Sequence, residues 1–336
     1  MKIAVLSSIA WRTPPRHYGP WEQVASNITE GLTENGIDVT LFATGDSITK
    51  GKLEYICQRP YSEDTEADPK VWESLHISHL MEQADKFDLI HNNFDFLPLT
   101  YSRLIRTPMV TTIHGFSSPK IVPVYKKYNN NSFFISISNS DRSKELKYAA
   151  TVYNGINTNE FTFRPQSKDY LLYFGRIHPE KGTYESIQIA KESGRKLIIS
   201  GLIQDQEYFN KKIKPYINDD DIVYTGNSGP KERDKLLGEA YALLHPIAFE
   251  EPFGLSVAES MLCGTPVIAF NKGSMKELIL NGKTGFLVNT VNEAVKAVNH
   301  IKSIDRKYCN AYAASKFSRQ TMIEGYLEVY KKILGK

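Results

Sequence analysis

Short apolar runs alternate with stretches of helical spacing along almost the whole chain, and the alternation is interrupted once, near the middle. In the first series the apolar runs fall at residues 2–7, 38–42, 87–91, 108–113, 132–137 and 149–153. Between them lie a helix with Val24, Ile28 and Leu32 on one face and Gly36 near its end, a helical segment at 70–85, and a helix-compatible one at 120–128. Residues 50–69 are polar and irregular. Runs this short and this uniformly apolar, bounded by turn residues, suit strands buried on both faces. Strands that alternate with helices build parallel, doubly wound sheets.

The interruption is NGINTNEFTFRPQSK at 154–168, rich in turn residues and without periodicity, and it predicts a linker. A second series follows, with apolar runs at 170–174, 196–200, 222–225, 242–246, 266–269 and 285–288. Helical spacing fits 183–193, 231–240, 255–262, 274–280, 291–303 and 320–334, the last with Ile323, Tyr326, Val329, Tyr330 and Ile333 on one face. A chain of 336 residues is long for one domain and comfortable for two. The expected class is α/β, with Rossmann-like domains at 1–160 and 167–315. Such domains bind ligands beyond the carboxyl ends of their strands, and tandem pairs commonly do so in the cleft between them.

Composition narrows the function classes. A net charge of +3 gives no footprint for nucleic acid. Cys57, Cys263 and Cys309 lie far apart without metal-ligand spacing and read as free thiols of a reducing compartment, so a cytoplasmic location is expected. The eight histidines form no ligand array, even with His76 and His79 three apart, so no metal is expected. Lys126, Lys127, Lys331, Lys332 and Lys336 read as a solvated face, which leaves a weak peripheral membrane contact open. The patterns GxGxxG, GxxxxGK[ST] and GxSxG do not occur.

Three strand ends carry chemistry. FGRIHPEKG follows the run at 170–174, where Arg176 offers a fork and Lys181 a point charge to a diphosphate. In EEPFGLSVAE, Pro252 and Gly254 set a turn around Phe253, and the N–H groups of Gly254, Leu255 and Ser256 open a helix that favours an anion. Glu251 and Glu259 flank that anion site, where carboxylates can grip sugar or ribose hydroxyls; the bland alternative leaves Glu259 in solvent. His114 opens HGFSSP at the end of the run at 108–113. A lone histidine is more often structural, yet this one stands where ligands bind.

Taken together, these segments resemble the retaining glycosyltransferases of family 4, which have the GT-B fold. The resemblance runs from KIAVLSS and YGPWEQV through VTTIHG, YNGINTNEF and FGRIHPEKG to EEPFGLSVAESMLCGTPVIAFNKGSMKELILNGKTGFLV. Its most specific part is E-x7-E, here Glu251 and Glu259. It implies two Rossmann-like domains facing each other across a cleft, and a nucleoside diphosphate sugar bound mainly by the second. Arg176, Lys181 and the N–H groups of Gly254 and Leu255 would hold the diphosphate. Glu251 would meet the donor sugar, Glu259 the ribose, and His114 the sugar from the first domain. Glu277 would be a support residue, and the last helix, 318–336, would pack back on the first domain.

The implied activity is sugar transfer with retention, from a UDP-sugar ahead of GDP-mannose, to a glycan, lipid-linked or small-molecule acceptor. No cofactor or metal is implied beyond the donor. One departure concerns the first loop, where relatives carry Gly-Gly and this chain has Gly19-Pro20. Proline has no N–H, so only Gly19 can offer one there. A sugar-nucleotide epimerase, a phosphorolytic enzyme and a non-catalytic binding protein are the competing readings.

Overall fold

The computed structural model describes residues 1–116 and 119–336, so Ser117 and Ser118 of HGFSSP lie outside the described residues. The chain divides into two compact units, 1–155 with 319–336 and 156–318. No helix among the described residues is long and apolar enough to cross a membrane.

The first unit runs β1 (Lys2–Leu6), α1 (Pro20–Glu34), β2 (Asp38–Phe42), β3 (Lys52–Glu54), α2 (Pro69–Met81), β4 (Leu89–Asn92), β5 (Met109–Ile113), α3 (Val122–Tyr128), β6 (Phe133–Ser136) and β7 (Tyr148–Thr151). Its sheet has the order β3-β2-β1-β4-β5-β6-β7, and every pairing is parallel. β3 corrects the expectation of an irregular stretch at 50–69. It is a three-residue edge strand with exposed ends, so it carries no apolar run to announce it. Asp68 caps α2 by accepting from the N–H groups of Lys70 and Val71, and Pro69 opens the helix.

The second unit runs β8 (Tyr170–Phe174), α4 (Thr183–Ser193), β9 (Lys196–Ser200), the single turn α5 (Gln206–Tyr208), β10 (Ile222–Tyr224), α6 (Pro230–Glu239), β11 (Ala242–His245), α7 (Leu255–Leu262), β12 (Val267–Phe270), α8 (Met275–Leu278), β13 (Gly285–Val288), α9 (Val291–His300) and α10 (Arg306–Phe317). Its sheet, also parallel throughout, has the order β10-β9-β8-β11-β12-β13. Strand interiors such as Leu171, Leu197, Leu244 and Ile268 join Ile187, Ala190, Ala294 and Val298 of the flanking helices in one buried cluster. α10 has no counterpart in the sequence expectations. Its buried positions, Cys309, Ala313 and Phe317, are too few to stand out.

The last helix, α11 (Arg319–Leu334), belongs to the first unit. It approaches α1 so closely that a Cβ on Gly31 would lie 2.5 Å from Ile323 Cγ1. A buried polar chain anchors its far end. Tyr330 OH meets His91 Nδ1 at 2.5 Å, His91 Nε2 meets Thr112 Oγ1 at 2.8 Å, and Thr112 Oγ1 meets Tyr326 OH at 2.9 Å. Burial pushes the His91 pKa down to about 3, so the ring is neutral, with one nitrogen to donate and one to accept.

Candidate active site

In both sheets the strand order reverses beside the first strand of the unit, between β1 and β4 and between β8 and β11. Connections leave in opposite directions there, and the loops at the strand carboxyl ends open a crevice.

In the second unit that crevice is built from the loops after β8, β11 and β12, packed backbone to backbone. Gly182 has φ +75°, and a Cβ on it would sit 2.0 Å from Pro246 O. The Ala248 N–H donates to Glu180 O at 2.8 Å. Gly273, at φ +57°, would place a Cβ 2.3 Å from the backbone of Glu251. Next to it the Ser274 N–H donates to Glu251 O at 2.9 Å, and Ser274 Oγ to Phe253 O at 2.6 Å. Only glycine fits these two left-handed close approaches.

The frame brings Lys181 and Glu251 together. Lys181 Nζ lies 2.8 Å from Glu251 Oε2 and 4.3 Å from the Phe249 ring centre, and the two side chains are only 15% and 12% exposed. His245 Nε2 is 3.5 Å from the same carboxylate oxygen. Burial raises the Glu251 pKa, but His245 and Lys181 together outweigh it and hold the group at about 2. Glu250 points elsewhere, accepting the Gly273 N–H from an exposed position. Arg176, on the same loop as Lys181, is held by Gln204 and, at 3.4 Å, by Glu180; Tyr173 OH fixes its carbonyl at 2.5 Å.

Gly254 caps α7 at φ +92° and, having no side chain, leaves the helix without a side-chain cap among the described residues. Leu255 and Ser256 are partly buried at that turn. Phe253 is 2% exposed and packs edge-on to Phe317, 5.8 Å between ring centres. Its ring is therefore turned into the core, and what it can offer a ligand is its backbone. Glu259 is not in solvent either. It is 5% exposed, burial raises its pKa, and Arg233 at 3.4 Å counters that rise.

The first unit, taken by itself, has a neutral cluster at its own strand ends. Gly19 is buried, and a Cβ there would lie 2.7 Å from Pro15 Cβ and 3.0 Å from Glu22 Oε2. Glu22 accepts from the Trp11 N–H at 3.3 Å, and burial lifts its pKa to about 7. His114 follows β5, partly buried, with Nε2 donating to Asn93 Oδ1 at 3.1 Å and its ring stacked 6.0 Å from Trp21. Burial pushes its pKa down to about 3, and its Nδ1 has no hydrogen-bond partner among the described residues.

The sequence reading passed over His245, Arg233, Glu22 and Asn93. His245 ends β11 just as His114 follows β5, so the signal that singled out His114 applies to it equally. Arg233 stands in the middle of a polar helix, and nothing local points to Glu259. Among the described residues no group of three His, Cys, Asp or Glu side chains could hold a metal ion.

Residues 21–160 match the family model described as Glycosyltransferase Family 4, and residues 156–316 that described as Glycosyl transferases group 1. The chain belongs to this glycosyltransferase family, and its fold is of the GT-B type. It is 28% identical over 225 residues to an uncharacterized 41.2 kDa protein in the cps region of Klebsiella pneumoniae, covering 65% of this chain and 56% of that one. It is also 28% identical over 197 residues to the alpha-1,3/1,6-mannosyltransferase ALG2 of Dictyostelium discoideum, covering 56% and 42%. The matched stretch thus spans about half the length of these relatives. Among solved structures it resembles Anabaena HepE in complex with UDP and glucose, with a TM-score of 0.74, 21% identity and 98% of each chain covered.

Proposed function

We propose that the chain is a retaining hexosyltransferase that moves a sugar from a nucleoside diphosphate sugar to a hydroxyl acceptor. The observation that carries this is the placement of Arg176, Lys181 and the uncapped start of α7 on the loops at one strand-order reversal. Two cations and a set of backbone N–H groups suit a diphosphate, whose charge grows as it leaves. A UDP-sugar is the favoured donor, supported by the fold shared with HepE, which was captured with UDP and glucose. The likeness to a mannosyltransferase keeps GDP-mannose as the second choice.

In this reading Arg176, Lys181 and the N–H groups of Gly254, Leu255 and Ser256 hold the diphosphate. Glu251, ionised throughout the neutral range, accepts hydrogen bonds from the sugar's hydroxyls. With a pKa of about 2 it is too weak a base to take the acceptor's proton. Glu259 serves the ribose, with Arg233 countering its charge; His114 and Gly19 are the contributions of the first unit. The bond from the anomeric carbon to the β-phosphate oxygen breaks while the acceptor oxygen bonds on the same face. The acceptor's proton passes to the departing phosphate oxygen, and no covalent sugar–enzyme step is needed. The reading calls for no metal or cofactor beyond the donor. A glycan, a lipid-linked sugar or a small metabolite satisfies it as acceptor.

An NMR time course with UDP-glucose or GDP-mannose and a candidate acceptor tests the proposal. The expected product keeps the donor's anomeric configuration. Lys181→Ala and Glu251→Ala should each lower the transfer rate by roughly 10³-fold. An inverted product, an epimer formed from the donor alone, a sugar 1-phosphate formed only with phosphate, or near-wild-type rates in both variants would sink it.

A further inference from the structure

Lys181 is asked to do two things. The proposed function gives it the donor diphosphate, and the structure gives it Glu251, 2.8 Å away in a pair that is largely out of water. An ammonium drawn towards two phosphates cannot keep the same geometry on the carboxylate. A buried carboxylate that loses its counter-charge is costly, by several kcal/mol in general terms. Some other group must then neutralise Glu251, and the structure offers one.

His245 Nε2 lies 3.5 Å from Glu251 Oε2, buried, and has no hydrogen-bond partner among the described residues. Its backbone is fixed in β11 by pairing with Ala269 of β12, so the ring cannot drift away. The charged groups at its ring are Glu251 and, through that carboxylate, Lys181 of the loop after β8; β8 itself brings Tyr173, paired with the preceding Leu244. The facing strand β12, VIAF, brings none. An imidazole ordinarily changes charge near neutral pH, which neither a lysine nor a carboxylate paired as Glu251 is can do.

We propose that His245 is the positioning residue of Glu251, and that it takes up a proton from solvent when a bound donor diphosphate draws Lys181 away. The imidazolium then replaces the ammonium as the carboxylate's partner and keeps Glu251 ionised and aimed at the sugar's hydroxyls. This rests on the assignment of Lys181 to the diphosphate.

Calorimetric titration of the full chain with UDP-glucose and with GDP-mannose tests it. Both phosphates of these donors are esterified, so the ligand itself does not titrate near neutrality. The binding enthalpy should differ between phosphate and Tris buffers by an amount that reports proton uptake. The affinity should fall with rising pH, by up to about tenfold per unit between pH 6.5 and 8.5. In His245→Gln, which keeps a side-chain donor but cannot titrate, both effects should vanish. A buffer-independent enthalpy in the unaltered protein overturns the inference while leaving the diphosphate reading intact. Proton uptake that persists in His245→Gln overturns it too, since Glu251 itself would then be taking the proton. If neither donor binds at any pH, the diphosphate reading falls and takes this inference with it.

Discussion

Beside the strand-order reversal of each unit lies a carboxyl group held out of water, Glu251 in the second and Glu22 in the first, and the two are driven in opposite directions. Glu251 sits between Lys181 and His245 and is held at about 2. Burial carries Glu22 to about 7, and the donors that counter it are neutral: its own backbone N–H, the Ser8 hydroxyl and the Trp11 N–H. The surroundings are as different as the carboxyls. The second unit's site is made of charge held by tightly packed glycine loops, whereas the first unit's is made of neutral groups: His114 on Asn93, Trp21 against His114, and a half-protonated Glu22.

Removing the ammonium is the strongest way to break this contrast. Lys181→Met leaves Glu251 with His245 alone, so the carboxylate stays charged only at the cost of protonating that imidazole. At pH 7 the second unit should lose about 3 kcal/mol, the usual cost of stranding one partner of a buried pair. Urea unfolding followed by hydrogen exchange in each unit would show it. An equal loss in both units, or none, would mean that the pair is not what keeps Glu251 charged.

The opposite exchange tests the first unit. Glu22 has a folded pKa above its unfolded one, so its contribution to stability is full below about pH 4.5 and is lost as the pH rises to about 7. Glu22→Gln cannot ionise and escapes that loss. Relative to the unaltered protein it should gain up to about 3 kcal/mol between pH 4.5 and 7, then hold level. Melting curves across that range would refute the claim if the difference stayed constant.

His114 sharpens the contrast at the level of activity. Its ring is neutral well below pH 6, so no histidine limb of its own should enter the pH–rate profile between pH 5 and 8. His114→Gln should lower kcat by roughly tenfold to a hundredfold and leave UDP binding unchanged. Weakened UDP binding in that variant would instead move His114 into the nucleotide site.

The same contrast explains what could be read from the sequence. Arg176, Lys181, Glu251 and Gly254 stand close to strand ends within short motifs, so they can be singled out from the local sequence. Glu22, Asn93 and Arg233 matter through partners 11 or more residues distant, and the pairing exists only once the sheet order is set. Asn93 meets His114 across neighbouring strands β4 and β5, for example, and Arg233 meets Glu259 between α6 and α7. The parallel strands were legible because burial on both faces leaves an unbroken apolar run. β3 and α10 were not, since an exposed edge and a helix buried through Cys309 and Ala313 leave no such mark.

The smallest effect concerns how the chain's end is tied to the first unit. The apolar face of α11 was visible in the sequence, but the buried chain from Tyr330 through His91 to Thr112 and Tyr326 was not, because its members come from three distant segments. Tyr330→Phe keeps the ring and removes only the hydroxyl, leaving His91 Nδ1 buried with nothing to meet. A neutral ring cannot recover the loss by ionising, since burial already holds its pKa near 3. The expected cost is about 1–2 kcal/mol, confined to the first unit. Faster hydrogen exchange should appear in α11 and β4 while β8 and β11 stay unchanged. Protection that is unaltered in α11 would show that apolar packing against Gly31 and its neighbours holds the helix without this polar chain.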